Sequence, residues 1–121
     1  MGNGFVHVEL NTQDLGQAKD FYQQLFAWDL SEKEIGPTGA YILIDKGNGE
    51  GVGGGMLRHP MPGAPSFWLP YVQVDDVEAA TEKARSLGAT IIRDNYEVPD
   101  WGWLSIFTDP TGATLGLWKP K

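Results

Sequence analysis

The two halves of this 121-residue chain repeat one another at an offset of 62 positions. Asp14-Leu15 falls on Asp76-Val77, Ala18 on Ala80, Leu25 on Leu87 and Ala27 on Ala89. Farther along, Tyr41-Ile42 falls on Trp103-Leu104, Ile44 on Ile106 and Gly54 on Gly116. No insertion is needed to hold that register over most of both halves. A duplicated unit of this size implies paired modules that share a core. It also directs the search for chemistry to equivalent positions of the two modules.

Each half reads as a strand, a helix and then about three strands. Phe5 to Leu10 alternates, with Val6, Val8 and Leu10 against Phe5, His7 and Glu9. Asp14 can cap the helix that follows, with Thr12 as a competing cap. Ala18, Phe21, Tyr22 and Leu25 recur at the spacing of one helix face. The strands expected next are a weakly patterned one around Leu30 to Ile35, Tyr41 to Ile44, and the glycine-rich Val52 to Leu57. Gly47-Asn48-Gly49 is a turn signal. His59 to Pro65 holds three of the eight prolines and reads as the linker. The organisation expected is therefore a single domain, with module one at 1–58, a linker at 59–66 and module two at 67–121. In module two, Trp68 to Val74 is a strand, and Asp75 or Asp76 caps a helix whose apolar face is Val77, Ala80, Ala84 and Leu87. Gly88 closes that helix. Strands follow at Ala89 to Arg93, Trp103 to Thr108 and Thr114 to Trp118. Asp109-Pro-Thr-Gly112 has the residues of a type I turn.

The fold class expected is α+β. Eight strands lie together, with helices 14–26 and 76–87 behind them. The helix-facing rows are Val, Leu and Ala. Strand alternation then assigns the opposite face to Phe5, His7, Glu9, Leu69, Tyr71, Trp103, Ser105, Phe107 and Trp118. Aromatic rings with a few polar groups are the composition of a small-molecule pocket.

Charge and composition exclude several alternatives. Nine basic against sixteen acidic residues give a net charge of −7, and no Lys/Arg cluster offsets it. Such a surface repels phosphate backbones, so no nucleic-acid partner is expected. An acidic surface favours cationic ligands, though it also serves solubility alone. No stretch approaches the roughly 20 apolar residues of a membrane span. The N-terminus lacks a basic region followed by an apolar run, so no signal peptide is expected there. The chain has no cysteine, which removes disulfides, thiolate metal sites and cysteine nucleophiles together. A cytoplasmic location fits that composition.

Phe5-Val-His-Val-Glu-Leu-Asn-Thr-Gln-Asp-Leu15, with Ala18, Phe21-Tyr22 and Leu25-Phe-Ala-Trp28, resembles the glyoxalase / bleomycin-resistance / extradiol dioxygenase superfamily, also called vicinal oxygen chelate proteins. The second half is similar to the same family through Trp68-Leu-Pro-Tyr-Val-Gln-Val-Asp-Asp-Val77, Leu87-Gly-Ala89, Asp109-Pro-Thr-Gly112 and Leu117-Trp118. The order, spacing and repetition of these motifs cover nearly the whole chain. The resemblance implies two tandem βαβββ modules forming a curved mixed sheet, or cup, with helices on the outer face. It also implies a bacterial protein and a homodimer. Members that use a metal place ligands on the first and last strands of each module. Carried over by position, those sites are His7, Gly54 (to within about one residue), Leu69 and Gly116. Only His7 is a ligand type, and a divalent metal needs three or more protein ligands. No metal and no cofactor is therefore expected.

His7 and Glu9 are two apart on a strand and share a face. They read either as an acid/base or ligand-orienting pair or as a polar pair left from a metal-binding ancestor. Trp103 reads as a pocket wall, with core filling and an interface as alternatives; Trp101 reads equally either way. His59 reads as loop. The glycines from Gly47 to Gly55 form no phosphate loop, because neither Lys-Ser/Thr nor a helix start follows. The residues expected to bind a ligand are His7, Glu9, Leu69, Tyr71, Trp103, Ser105, Phe107 and Trp118, with His7 and Glu9 as catalytic candidates. Three functions compete: a metal-free binder of an aromatic or cationic small molecule, an enzyme of the lyase, isomerase or dioxygenase type using His7 and Glu9 with or without a divalent metal, and an interaction domain whose cup is filled by its own side chains.

Overall fold

Each half begins with a strand that passes directly into an aspartate-capped helix. The computed structural model describes residues 2–34, 40–47 and 51–121. Its elements are β1 (Phe5–Thr12), α1 (Leu15–Leu25), β2 (Asp29–Glu34), β3 (Ala40–Asp45), β4 (Gly53–Arg58), β5 (Phe67–Gln73), α2 (Val77–Ser86), β6 (Thr90–Val98), β7 (Gly102–Thr108) and β8 (Thr114–Pro120). The order βαβββ thus occurs twice, and the fold is α+β. Asp14 accepts a hydrogen bond from the Gln17 N–H, and Asp76 accepts one from the Ala79 N–H, both at 3.0 Å. These equivalent caps satisfy one of the orphan donors at each helix start. Neither described helix is long and apolar enough to cross a membrane. Ile35, at the end of the expected second strand, and the Asn48-Gly49 part of the expected turn lie outside the described residues.

Two compact units emerge, His7–Leu69 and Pro70–Lys121, and the residues up to Val6 group with the second. The N-terminal residues join that unit through Asn3, which donates to the Gln73 carbonyl at 3.0 Å, and through the Gly4 carbonyl, which accepts the Gln73 N–H at 2.9 Å. The expected linker is tied to the first unit. The His59 N–H donates to the Thr12 carbonyl at 2.8 Å, and Gln13 Nε2 donates to the Met61 carbonyl at 2.9 Å.

In module one the hydrogen-bonded order is β2-β3-β4-β1; in module two it is β5-β8-β7-β6. The β1/β4 and β5/β8 pairs are parallel and the other pairs within each module are antiparallel. The sheet is therefore mixed. Module one is centred on Leu10, Leu30, Ile42 and Met56, with Leu15, Ala18, Tyr22, Trp28 and Ile44 packed against them.

The helix faces differ from expectation. In α1 the inward stripe is Leu15, Ala18 and Tyr22, while Phe21 and Leu25 are each 56% exposed. In α2 the buried residues are Val77 and Thr81, one turn apart, and Leu87 lies on the outside. Thr81 lies outside the apolar face expected for this helix. Its Oγ1 lies 2.6 Å from both the Val77 carbonyl and Ser105 Oγ. With its one proton given to the carbonyl, the Ser105 hydroxyl completes the pair.

The repeat also slips. Gly55 pairs with Glu9 and Gly116 pairs with Tyr71, a difference of 61 on the last strand. Leu43 pairs with Gly55 and Ile106 pairs with Gly116, a difference of 63 on the third strand. An odd shift moves a whole strand's side chains to the other face of a sheet. That reassigns several of the candidate site residues.

Candidate functional site

The first strand builds the polar centre of module one. Leu10 joins the core, so His7, Glu9 and Asn11 point to the side of the sheet away from α1. Tyr41 reaches the same side from β3, because its neighbour Ile42 is buried in the core. The four side chains are linked. The Tyr41 hydroxyl donates to Glu9 Oε2 at 3.0 Å, and His7 Nε2 lies 2.7 Å from the same hydroxyl oxygen. Asn11 Nδ2 donates to Glu9 Oε1 at 3.3 Å. A phenol has one proton, and here it goes to the carboxylate. His7 Nε2 therefore carries its hydrogen and donates to Tyr41, which puts the lone pair of the neutral ring on Nδ1. Burial holds the His7 imidazolium below its ordinary pKa of 6.5, which favours that neutral ring.

This depression has a sign for stability. Between the folded and unfolded pKa values of His7, the unfolded chain binds more protons, so stability rises with pH. The contribution is complete above the unfolded value of 6.5 and is lost as pH falls through the folded value. The urea midpoint is expected to be lower at about pH 5.5 than at about pH 7.5, and His7→Gln is expected to flatten the difference. An unchanged slope in the variant would assign the pH dependence to other groups.

The residues present do not fit the divalent metal that the family pattern implies. Among the described residues no three His, Cys, Asp or Glu side chains cluster. Gly54, expected at a ligand position, faces the α1 side; the site-side residue paired with Glu9 is Gly55. A Cβ at Gly55 would meet the Tyr41 hydroxyl at 2.1 Å, and a Cβ at Gly116 would meet the Tyr71 ring at 2.4 Å. In each module a tyrosine ring thus lies over the glycine that would have to supply a donor. Leu69 has no lone pair to offer.

In module two the candidates divide between two faces. Tyr71 pairs with Gly116 and Gln73 with Trp118, so Tyr71 and Trp118 share the face away from α2, together with Leu69. Leu69 and Tyr71 are buried. Trp103, Ser105 and Phe107 stand on the other side, contrary to expectation. Trp103 pairs with Lys119 rather than Trp118, and Ser105 meets Thr81 on α2. Ser105 is fully buried and its hydroxyl also accepts the Asn95 N–H at 2.8 Å. The Trp103 ring carries Lys119 and Lys121 ammonium groups 5.4 and 5.2 Å from its centre, so the protein's own cations occupy it. The slip of 63 on this strand is the physical reason for all three. His59 is a loop residue as read, its Nδ1 accepting the Met61 N–H at 3.0 Å.

Sequence reasoning missed Tyr41 and Asn11 as site residues. Both were reachable. Alternation around Ile42 places Tyr41 with Glu9's face, and Asn11 follows His7 and Glu9 at the same two-residue step.

A repeated βαβββ unit, with a polar centre on the strand face turned from its helix, defines a vicinal-oxygen-chelate type of fold. Residues 4–117 match the family model of the Glyoxalase/Bleomycin resistance protein/Dioxygenase superfamily, and the chain belongs to that superfamily. A Mycobacterium tuberculosis protein, CFP32, whose name proposes a glyoxylase, is 36% identical over 93% of this chain and 44% of its own length. The Streptomyces peucetius anthracycline biosynthesis protein DnrV is 26% identical over 92% of this chain and 45% of its own. The chain thus spans less than half the length of these relatives. Among solved structures, the Bacillus halodurans protein BH1468 is similar with a TM-score of 0.75 and 12% identity, covering 100% of this chain and 96% of that one. Methylmalonyl-CoA epimerase from Mycobacterium tuberculosis is similar with a TM-score of 0.71 and 16% identity, covering 98% and 88%. At these identities the two structures establish the fold alone.

Proposed function

We propose that this chain is a small-molecule-binding member of the superfamily that works without a catalytic metal, with Glu9, Tyr41 and His7 as its polar anchor. The observation that carries this reading is the hydrogen-bonded chain from Glu9 through Tyr41 to His7, the one ligand-type residue at the family's metal positions. Even a half-buried carboxylate is costly without donors, and Glu9 has them from Tyr41 and Asn11. The centre is therefore preorganised, and a ligand donor adds to it rather than rescuing it. Planar ligands with a basic group are the class to screen first. The negative charge of the chain supports this class, as does the Streptomyces relatives' naming for anthracycline biosynthesis.

The same chain of hydrogen bonds favours a second reading, metal-independent proton transfer between a substrate and the His7–Tyr41–Glu9 relay. Native mass spectrometry of the purified protein, then titration of the compounds found, tests the binding reading. Glu9→Gln is expected to weaken binding by about 1.5 kcal/mol, roughly tenfold in Kd. Tyr41→Phe keeps the ring and removes the hydroxyl, and a smaller loss is expected. Equal affinity in parent and both variants would sink the assignment. Exchange of a ligand C–H for deuterium, catalysed by the parent and lost in Glu9→Gln, would move the conclusion to the enzyme reading.

A further inference from the structure

On the α1 side of module one, across β1 from His7 and Glu9, lies a second concavity with a different chemistry. It is an open groove of about 460 Å³ lined by Trp28, Trp68, Val8, Ile44, Val52 and Lys46. That volume lies within the range of small-molecule sites. Its floor is Gly53-Gly54, where the missing side chains leave backbone within reach. Trp28 and Trp68 both touch Tyr22, with ring centroids 5.7 and 5.5 Å away, so a shared neighbour braces the two indoles. Trp68 is 37% exposed and Val52 is 42% exposed, so apolar surface of the groove is open to solvent.

Charge selects the occupant. Among the described residues, Lys46 is the only charged side chain lining the groove. Among the described residues it has no ion-pair partner. The nearby Asp45 and Asp29 pair with each other on the opposite parity of β3 and β2, so their carboxylates belong to the other face of the sheet. A flat apolar slot with one ammonium at its rim suits a planar aromatic acid.

We propose that this groove binds planar aromatic carboxylates, with the ring system between the Trp28 and Trp68 side chains and the carboxylate on Lys46. The site stands apart from the polar centre and rests on no part of the function proposed for it. The probes are 2-naphthoate, the neutral 2-naphthamide and the cationic 2-naphthylmethylamine, titrated into the full chain and followed by indole N–H and methyl NMR signals. The acid is expected to bind about three- to fivefold more tightly than the amide, the amine to bind most weakly, and the preference to shrink with added salt. Lys46→Gln should erase the difference between acid and amide, and Lys46→Glu should invert the order of acid and amine. Val52→Asp places a carboxylate in the groove at an exposed position and should reduce acid binding without threatening the core. Shifts centred on Trp28, Trp68, Ile44 and Val52 support the assignment. Equal affinity for acid and amide in the parent would overturn it. So would shifts confined to His7 and Tyr41, or acid binding that Lys46→Glu and Val52→Asp leave unchanged. Finding the groove closed by a second copy, with naphthoate binding only to the dissociated chain, would assign it to self-association instead.

Discussion

Met56→Ala is expected to lower the unfolding free energy by about 2–5 kcal/mol. Met56 has no exposed surface, and it joins Leu10, Leu30 and Ile42 at the centre of module one. Its strand partners are Leu10 on β1 and Ile42 on β3, so truncation removes contacts to both neighbours at once. The transfer term of the lost side chain adds to the cavity left between two strands that cannot move together. Met61 provides the control, since it is 67% exposed, and Met61→Ala is expected to change stability by less than about 0.5 kcal/mol. Urea unfolding of the two variants compares them directly. A loss below about 1 kcal/mol for Met56→Ala would mean that the site collapses and that the core is looser than described.

Gly54→Ala is expected to cost about 1–3 kcal/mol or more, although it adds a single methyl group. An added Cβ would stand 2.4 Å from the Val8 carbonyl oxygen. That oxygen belongs to the backbone of β1, so relief requires β1 and β4 to separate rather than a side chain to rotate. The adjoining glycines give an internal comparison. At Gly53 nothing lies within 4 Å, and alanine there is expected to be nearly neutral. At Gly55 the obstacle is the Tyr41 hydroxyl, the far end of a side chain. Alanine at Gly55 should therefore disturb the polar centre more than the fold. The order Gly54, then Gly55, then Gly53 in destabilisation is the result to seek by thermal unfolding. Similar losses at all three would replace the steric argument with a general intolerance of side chains in β4.

The element order was legible in the sequence because its signals are local. Alternation in β1, aspartate caps at both helices, and the turn at Asp109 each need only a few neighbouring residues. The strand of Ala89 to Arg93 shows the limit. It runs on to Val98 through two register breaks, with Asn95 at a φ of 44°, and no residue pattern announces such irregularity. Faces were harder to read than elements. His7 and Glu9 were assigned to the correct face because a regular strand carries its own parity. Trp103, Ser105 and Phe107 were not, because alternation splits β7 into two sets of side chains without saying which set faces α2. Inserting one residue between strands leaves every local signal intact and reverses every side chain that follows. Thr81 was obscured for another reason. Its role comes from Ser105, 24 positions away, and a single sequence gives no view of such a pairing.

The two tyrosines that roof the glycines also break the equivalence of the halves. Tyr41 comes from the third strand of its module, and its counterpart in the other half is Leu104. Tyr71 comes from the first strand of its module, and its counterpart is Glu9. Each half thus covers its bare glycine from a different neighbouring strand. The copies are therefore not interchangeable: exchanging β1 with β5, or β3 with β7, would deliver two rings to one gap and none to the other.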